Sequence, residues 1–152
     1  MRVLYAAPRR AHGEVERALE ATHVPLRRLL AEADVVSLHC PLEAETRGLI
    51  GSAELALMKP TAILVNTARG LLVDEQALAG ALSVGRLAGA GLDVFVDEPR
   101  VHPALLAAPR TIFAPHIGSA TAAARGRMVE LCATAVRDAL SGVIPDNQVN
   151  HV

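Results

Sequence analysis

Asp34-Val35-Val36-Ser37-Leu38-His39 and Ala62-Ile63-Leu64-Val65-Asn66 are the stretches on which the fold turns. Both are short, apolar and rich in β-branched residues, and a segment with helical spacing lies between them. Such alternation specifies a parallel sheet with helices on both faces, because parallel strands need a crossover long enough for a helix. The pattern extends outward in both directions. Upstream, Arg2 to Ala6 reads as a strand and Gly13 to about Ala21 as a polar helix. Leu26 to about Ala33 is a second helix, with Leu26, Leu29 and Leu30 on one face. Between the two quoted strands, Ser52 is placed to cap a short helix with Leu55 and Met58 inward, stopped by Pro60. Downstream, Asp74 caps a helix that carries Leu78 and Leu82 and ends at Gly85. Ala88 to Phe95 is a glycine-diluted strand, Val96 to Arg110 mostly loop, and Thr111 to Ala114 the last strand. The longest helix runs from about Ala120 to Leu140 and ends at Gly142. The tail, Val143 to Val152, reads as extended and packed on something.

The 152 residues suffice for one domain with a hydrophobic core. Half of them, 51%, are apolar, and the net charge is −1 with no long run of one sign. That balance points away from nucleic-acid and membrane surfaces. No apolar run approaches the roughly 20 residues that span a bilayer. Cys40 and Cys132 are far apart and no secretory segment precedes them, which fits reduced thiols in a cytoplasmic protein. No metal site is assigned.

Ligands of open parallel α/β sheets gather at the C-terminal ends of the strands. The residues there are Ala6-Ala7-Pro8-Arg9-Arg10, Cys40-Pro41, Thr67-Ala68-Arg69-Gly70, Asp97-Glu98-Pro99 and Pro115-His116-Ile117-Gly118-Ser119. An Arg, a Glu and a His at one rim could bind a carboxylate, tune a proton donor and move a proton. Each has a plainer alternative. Arg69 alone reads as a solvated turn residue, Glu98 as a loop residue, and His116 as the cap of the following helix.

Asn66-Thr67-Ala68-Arg69-Gly70, Gly91-Leu92-Asp93-Val94-Phe95 with Glu98-Pro99, and Pro115-His116-Ile117-Gly118-Ser119-Ala120-Thr121 resemble the signature blocks of the D-isomer-specific 2-hydroxyacid dehydrogenases. Ala33 to Leu42, followed by Glu45-Thr46-Arg47-Gly48-Leu49-Ile50, is similar to the block that precedes them. The likeness covers nearly the whole chain. The ending, Ile144-Pro145 through Val149-Asn150, looks most like the glyoxylate/hydroxypyruvate reductase branch.

The resemblance implies a Rossmann-like doubly wound sheet and a hydride transfer between a nicotinamide cofactor and a small 2-oxo or D-2-hydroxy acid. Arg69 would hold the substrate carboxylate with its planar fork. His116 would be the acid in reduction and the base in oxidation, since imidazole titrates near neutral pH. Glu98 would pair with His116 and favour its charged form. Asp93 would hold the nicotinamide carboxamide. Cys40, Pro41, Thr67, Ala68, Arg69, His116 and Gly118 complete the cofactor contacts that the likeness implies. An acid at the end of the second strand of such a domain binds the ribose 2′-hydroxyl of NAD. Here Arg9 and Arg10 stand instead, which favours NADP(H) over NAD(H), with a pair of solvated loop arginines as the alternative.

The chain departs from the family's pattern at its beginning. No glycine-rich turn follows a strand and opens a helix, so the first strand, that turn and the first helix of the sheet are expected to be missing. The missing strand would lie between Arg2–Ala6 and Asp34–His39, leaving a gap or unpaired edges. Residues 1–142 are then expected to form a partial NAD(P)-binding domain, and 143–152 a tail returning to a substrate domain. Three readings follow: part of a dehydrogenase, which in full-length form would be a homodimer; a non-catalytic remnant that self-associates or complements a partner; or a dinucleotide-sensing regulator of the same fold.

Overall fold

The computed structural model describes residues 1–149. Residues 150–152, the end of the expected tail and of the reductase-like ending, lie outside the described residues. The chain divides into two compact units, Met1–Pro115 and His116–Val152.

The first unit opens with β1 (Val3–Tyr5), α1 (Gly13–Leu19), β2 (Ala21–His23) and α2 (Leu26–Glu32). It continues with β3 (Val35–Leu38), α3 (Ser52–Leu57), β4 (Ile63–Asn66), a 3-10 turn (Gly70–Leu72) and α4 (Glu75–Ser83). It closes with β5 (Gly89–Leu92), α5 (Pro103–Ala107) and β6 (Thr111–Phe113). The strands form two parallel sheets, β1-β2 and β3-β4-β5-β6. No hydrogen-bonded strand joins β1 to β3 among the described residues, so the break expected between them is present.

The four-stranded sheet carries the core. Leu30, Ile50, Leu55, Met58, Leu64, Leu72, Leu78, Leu82, Leu87 and Leu105 are each 0–1% exposed. Each such side chain contributes roughly 1.5–3 kcal/mol by leaving water. Period-2 alternation aims Val36, Leu38, Leu64, Ala90 and Leu92 into this core. The alternate residues Val35, Ile63 and Ile112 are 58%, 42% and 77% exposed, so one face of the sheet is open.

Four local expectations need correction. Ala21 ends no helix; it begins β2, which pairs with β1 as Val3↔Ala21 and Tyr5↔His23. The α3 cap is Gly51 rather than Ser52, and Glu54 Oε2 accepts from the Gly51 N–H at 3.2 Å. The stretch Val96 to Arg110 contains α5, started by Pro103 and capped by His102, whose ring nitrogen accepts from the Ala104 N–H. Ala88 to Phe95 is strand only over Gly89–Leu92.

The second unit consists mainly of α6 (Ala122–Leu140). Thr121 caps it by accepting from the Ala124 N–H, and Gly142 follows its end at a φ of +73°. Met128, Cys132, Val136 and Leu140 recur every four residues and are all exposed. The described tail is not wholly extended. Gln148 N–H donates to Pro145 O at 3.0 Å, closing a turn. Val143, Ile144 and Val149 are exposed.

Candidate active site

The parallel register brings the ends of β3, β4, β5 and β6 to one rim, and the sequence places its candidate residues just beyond these ends. Beyond β4, the chain turns sharply. Asn66, 1% exposed, accepts from the Ala68 N–H through Oδ1 at 3.1 Å and donates from Nδ2 to Arg69 O at 2.9 Å. One buried amide therefore satisfies both its own donor and its own acceptor while it shapes residues 67–69. Thr67 and Arg69 project outward and are exposed. Arg69 donates to Ala68 O at 2.6 Å and has no carboxylate partner among the described residues. A guanidinium held out without a counter-ion is equipped to take a carboxylate from a ligand.

Beyond β5 lies the loop that carries Asp93 and Glu98. Asp93 is 7% exposed, and its N–H donates to Asn66 O at 2.9 Å, which ties this loop to the β4 turn. Phe95 N–H donates to Glu98 Oε1 at 3.0 Å, so the carboxylate is held against its own loop. Asp97 and Arg100 close the turn with an ion pair of 2.7 Å, and the Glu98–Pro99 peptide is cis. The two loops touch where Gly70 meets Phe95. A Cβ on Gly70 would lie 2.1 Å from the Phe95 carbonyl carbon and 2.6 Å from Val96 N. No other residue type fits there. Phe95 in turn stacks edge-on against Phe113 of β6, with ring centres 5.8 Å apart.

The remaining candidates are placed as follows. Cys40 is half-buried after β3 and Pro41 is exposed beside it. Ala68 is half-buried. His116 begins the second unit, exposed and at a φ of +54°, with Gly118 exposed two residues on. That left-handed conformation is uncommon outside glycine, and it sets the direction in which the imidazole leaves the chain.

Arg9 and Arg10 follow β1 and are both exposed, but only one is available to a ligand. Arg10 grips Glu16 of α1 with two hydrogen bonds, 2.9 Å from Nε and 2.8 Å from Nη2. Tyr5 hydroxyl donates to the same carboxylate at 2.6 Å and accepts from the Ala11 N–H. Hydrogen bonds from Arg10 first, and then from Tyr5, hold the Glu16 carboxyl at about 2. Arg9 has no ion pair among the described residues.

Residues 1–118 match the family described as the D-isomer specific 2-hydroxyacid dehydrogenase, NAD binding domain. The chain belongs to this family. It is 47% identical over 150 residues to a glyoxylate reductase of Thermococcus litoralis, covering 99% of this chain and 45% of that protein. It is 49% identical to a glyoxylate/hydroxypyruvate reductase B of Pectobacterium carotovorum, covering 99% and 47%. The crystal structure of a glyoxylate reductase from Paecilomyes thermophila superposes with a TM-score of 0.83 at 43% identity, over 91% of this chain and 42% of that one. The chain thus spans about half the length of the curated relatives it matches.

Two residues of this D-2-hydroxyacid dehydrogenase domain escaped the reading of its sequence as site residues. Asn66 was legible in principle: an Asn at a strand end, two residues before a required turn, is an Asx-turn signal. Glu75 carried only the signal of an acidic residue in a helix's first turn, which says nothing of a partner 21 residues away.

Proposed function

We propose that this chain is the nucleotide-binding part of an oxidoreductase that reduces a small 2-oxo acid, glyoxylate- or hydroxypyruvate-like, to the D-2-hydroxy acid. The observation that carries the reading is Arg69: an exposed guanidinium without a carboxylate partner, on a backbone turn that buried Asn66 holds through the Arg69 carbonyl, beside the loop of Glu98. Arg69 binds the substrate carboxylate with paired hydrogen bonds and polarises the neighbouring carbonyl. His116 gives a proton to the developing alkoxide in reduction and takes it back in oxidation. Glu98 supports the protonated imidazole.

The donors present suit both ends of a dinucleotide. The buried carboxylate of Asp93 fits a carboxamide, and the unpaired guanidinium of Arg9 fits a 2′-phosphate. Cys40, Pro41, Thr67, Ala68 and Gly118 would line the remainder. When bound, the nicotinamide supplies or accepts the hydride. The family's description names NAD. Preference for NADP(H), with NAD(H) as the alternative, rests on Arg9, because Arg10 is already engaged by Glu16. Residues 1–142 would form the nucleotide-binding part and the described residues from 143 on would lead toward a substrate domain; the full-length form would be a cytoplasmic homodimer.

The test is NAD(P)H consumption with glyoxylate and hydroxypyruvate, together with NADPH and NADH titrations. Arg69→Ala should abolish turnover and weaken 2-oxo acid binding more than dinucleotide binding. Arg9→Ala should weaken NADPH binding by about tenfold and leave NADH binding unchanged. Equal losses for both cofactors would remove the NADP(H) assignment. A second reading is favoured by the two unjoined sheets and the open apolar face of Val35, Ile63 and Ile112: a non-catalytic chain that self-associates or complements a partner. A native mass above monomer without turnover would support it.

A further inference from the structure

Glu75 is a charged residue that the proposed chemistry does not use, yet it is only 9% exposed. Carboxylates are seldom buried without a partner, because leaving water disfavours the charged form. No Lys or Arg pairs with Glu75 among the described residues. Its partner is backbone: Oε1 accepts from the Val96 N–H at 2.9 Å. Its place explains how the charge is tolerated. Glu75 is the first residue of α4, after the Asp74 cap, where free N–H groups and the helix dipole favour a negative charge.

The acceptor lands on an informative peptide. The Phe95–Val96 unit is held on three sides. Gly70, next to Arg69, packs against its carbonyl carbon. Glu98 accepts from the N–H that precedes it. Glu75 accepts from the N–H within it. The Arg69 turn packs on the Phe95–Val96 peptide, the Glu98 carboxylate binds the peptide just before it, and Glu75 ties the Phe95–Val96 peptide to α4.

Resting on the roles proposed above for Arg69 and Glu98, we propose that Glu75 is a positioning residue that sets their relative placement through the Phe95–Val96 peptide. It touches neither ligand. It acts as a hydrogen-bond acceptor, so an amide can replace it and a methyl group cannot.

The experiment compares Glu75→Ala and Glu75→Gln in the full chain. Amide exchange is followed at Phe95 and Val96, with Leu64 and Leu92 as strand references. The Glu98 carboxyl carbon and the Arg69 side-chain nitrogen are followed by NMR. Glu75→Ala should speed exchange at Phe95 and Val96 by about tenfold, leave the strand amides unchanged, and move both side-chain signals. Glu75→Gln should restore all of these. In turnover assays, Glu75→Ala should lower kcat about tenfold and shift the pH limb that reports the acid, with Glu75→Gln close to the parent chain. Uniformly faster exchange with unmoved Glu98 and Arg69 signals would reduce Glu75 to a helix-stabilising residue and overturn the proposal. So would unchanged exchange at Val96. The NMR arms decide this even if the parent chain shows no turnover, an outcome that would count against the reductase reading instead.

Discussion

The two sheets of the first unit are held together by different physics. Around β3–β6, the chain buries leucines to 0–1% exposure and leaves few charges inside. Around β1 and β2, α1 has no buried residue, and Val15 and Leu19 are 48% and 62% exposed. What organises that region is polar: Tyr5, Arg10 and Glu16 share one network, and His23 lies against Tyr5 with ring centres 5.0 Å apart. Apolar burial is insensitive to pH and intolerant of lost volume. A charged network has the opposite sensitivities. Arg69, proposed to bind substrate, stands on the apolar half, and Arg9, proposed to select the cofactor, on the polar half.

Removing volume should separate the halves most sharply. Leu78→Ala should destabilise the chain by about 2–5 kcal/mol in urea denaturation, while Val15→Ala stays within about 0.5 kcal/mol. Similar losses for the two variants would erase the distinction. A smaller effect is expected from Asn66→Ala, about 1–3 kcal/mol, because the Ala68 N–H and the Arg69 carbonyl lose their partner. If Asn66 shapes the site as argued, the same variant raises the KM for the 2-oxo acid more than it lowers dinucleotide affinity. The smallest effect is one of pH. Glu16 is held at about 2 in the folded chain against an ordinary 4.5. A depressed carboxyl stabilises the fold fully above 4.5 and loses that contribution as pH falls toward 2. Amide exchange at Tyr5 and Val24 should therefore rise over this window before exchange at Leu64 does, and Glu16→Gln should remove the difference.

Legibility in the sequence followed the same division. Strands β3, β4 and β6 and helices α2, α4 and α6 were readable because long apolar or periodic runs mark them. Ala21-Thr22-His23 contains no such run and is a strand only because β1 lies beside it. The helix α5 was hidden among prolines, one of which starts it. Arg110 sits at a φ of +57° and donates to the carbonyls of Ala88 and Leu82, a closure of α4 that no local pattern announces. For the candidate site, Arg69, Glu98 and His116 were legible as residues following strand ends; Asp93, inside the expected strand Ala88 to Phe95, was legible only through the family resemblance, and the structure ends that strand at Leu92. Which of Arg9 and Arg10 could meet a ligand was not, since it depended on where α1 carries Glu16.

By itself, the sequence determined the alternation of strand and helix, the family and the residues available at the rim, because these depend on residue type and spacing along the chain. Tertiary structure alone decided the separate β1-β2 pair, the engagement of Arg10, and the joining of the Arg69 and Glu98 loops through Gly70, Phe95 and Glu75. Those depend on contacts between residues far apart in the chain, whose partners exist only once the backbone has closed on itself.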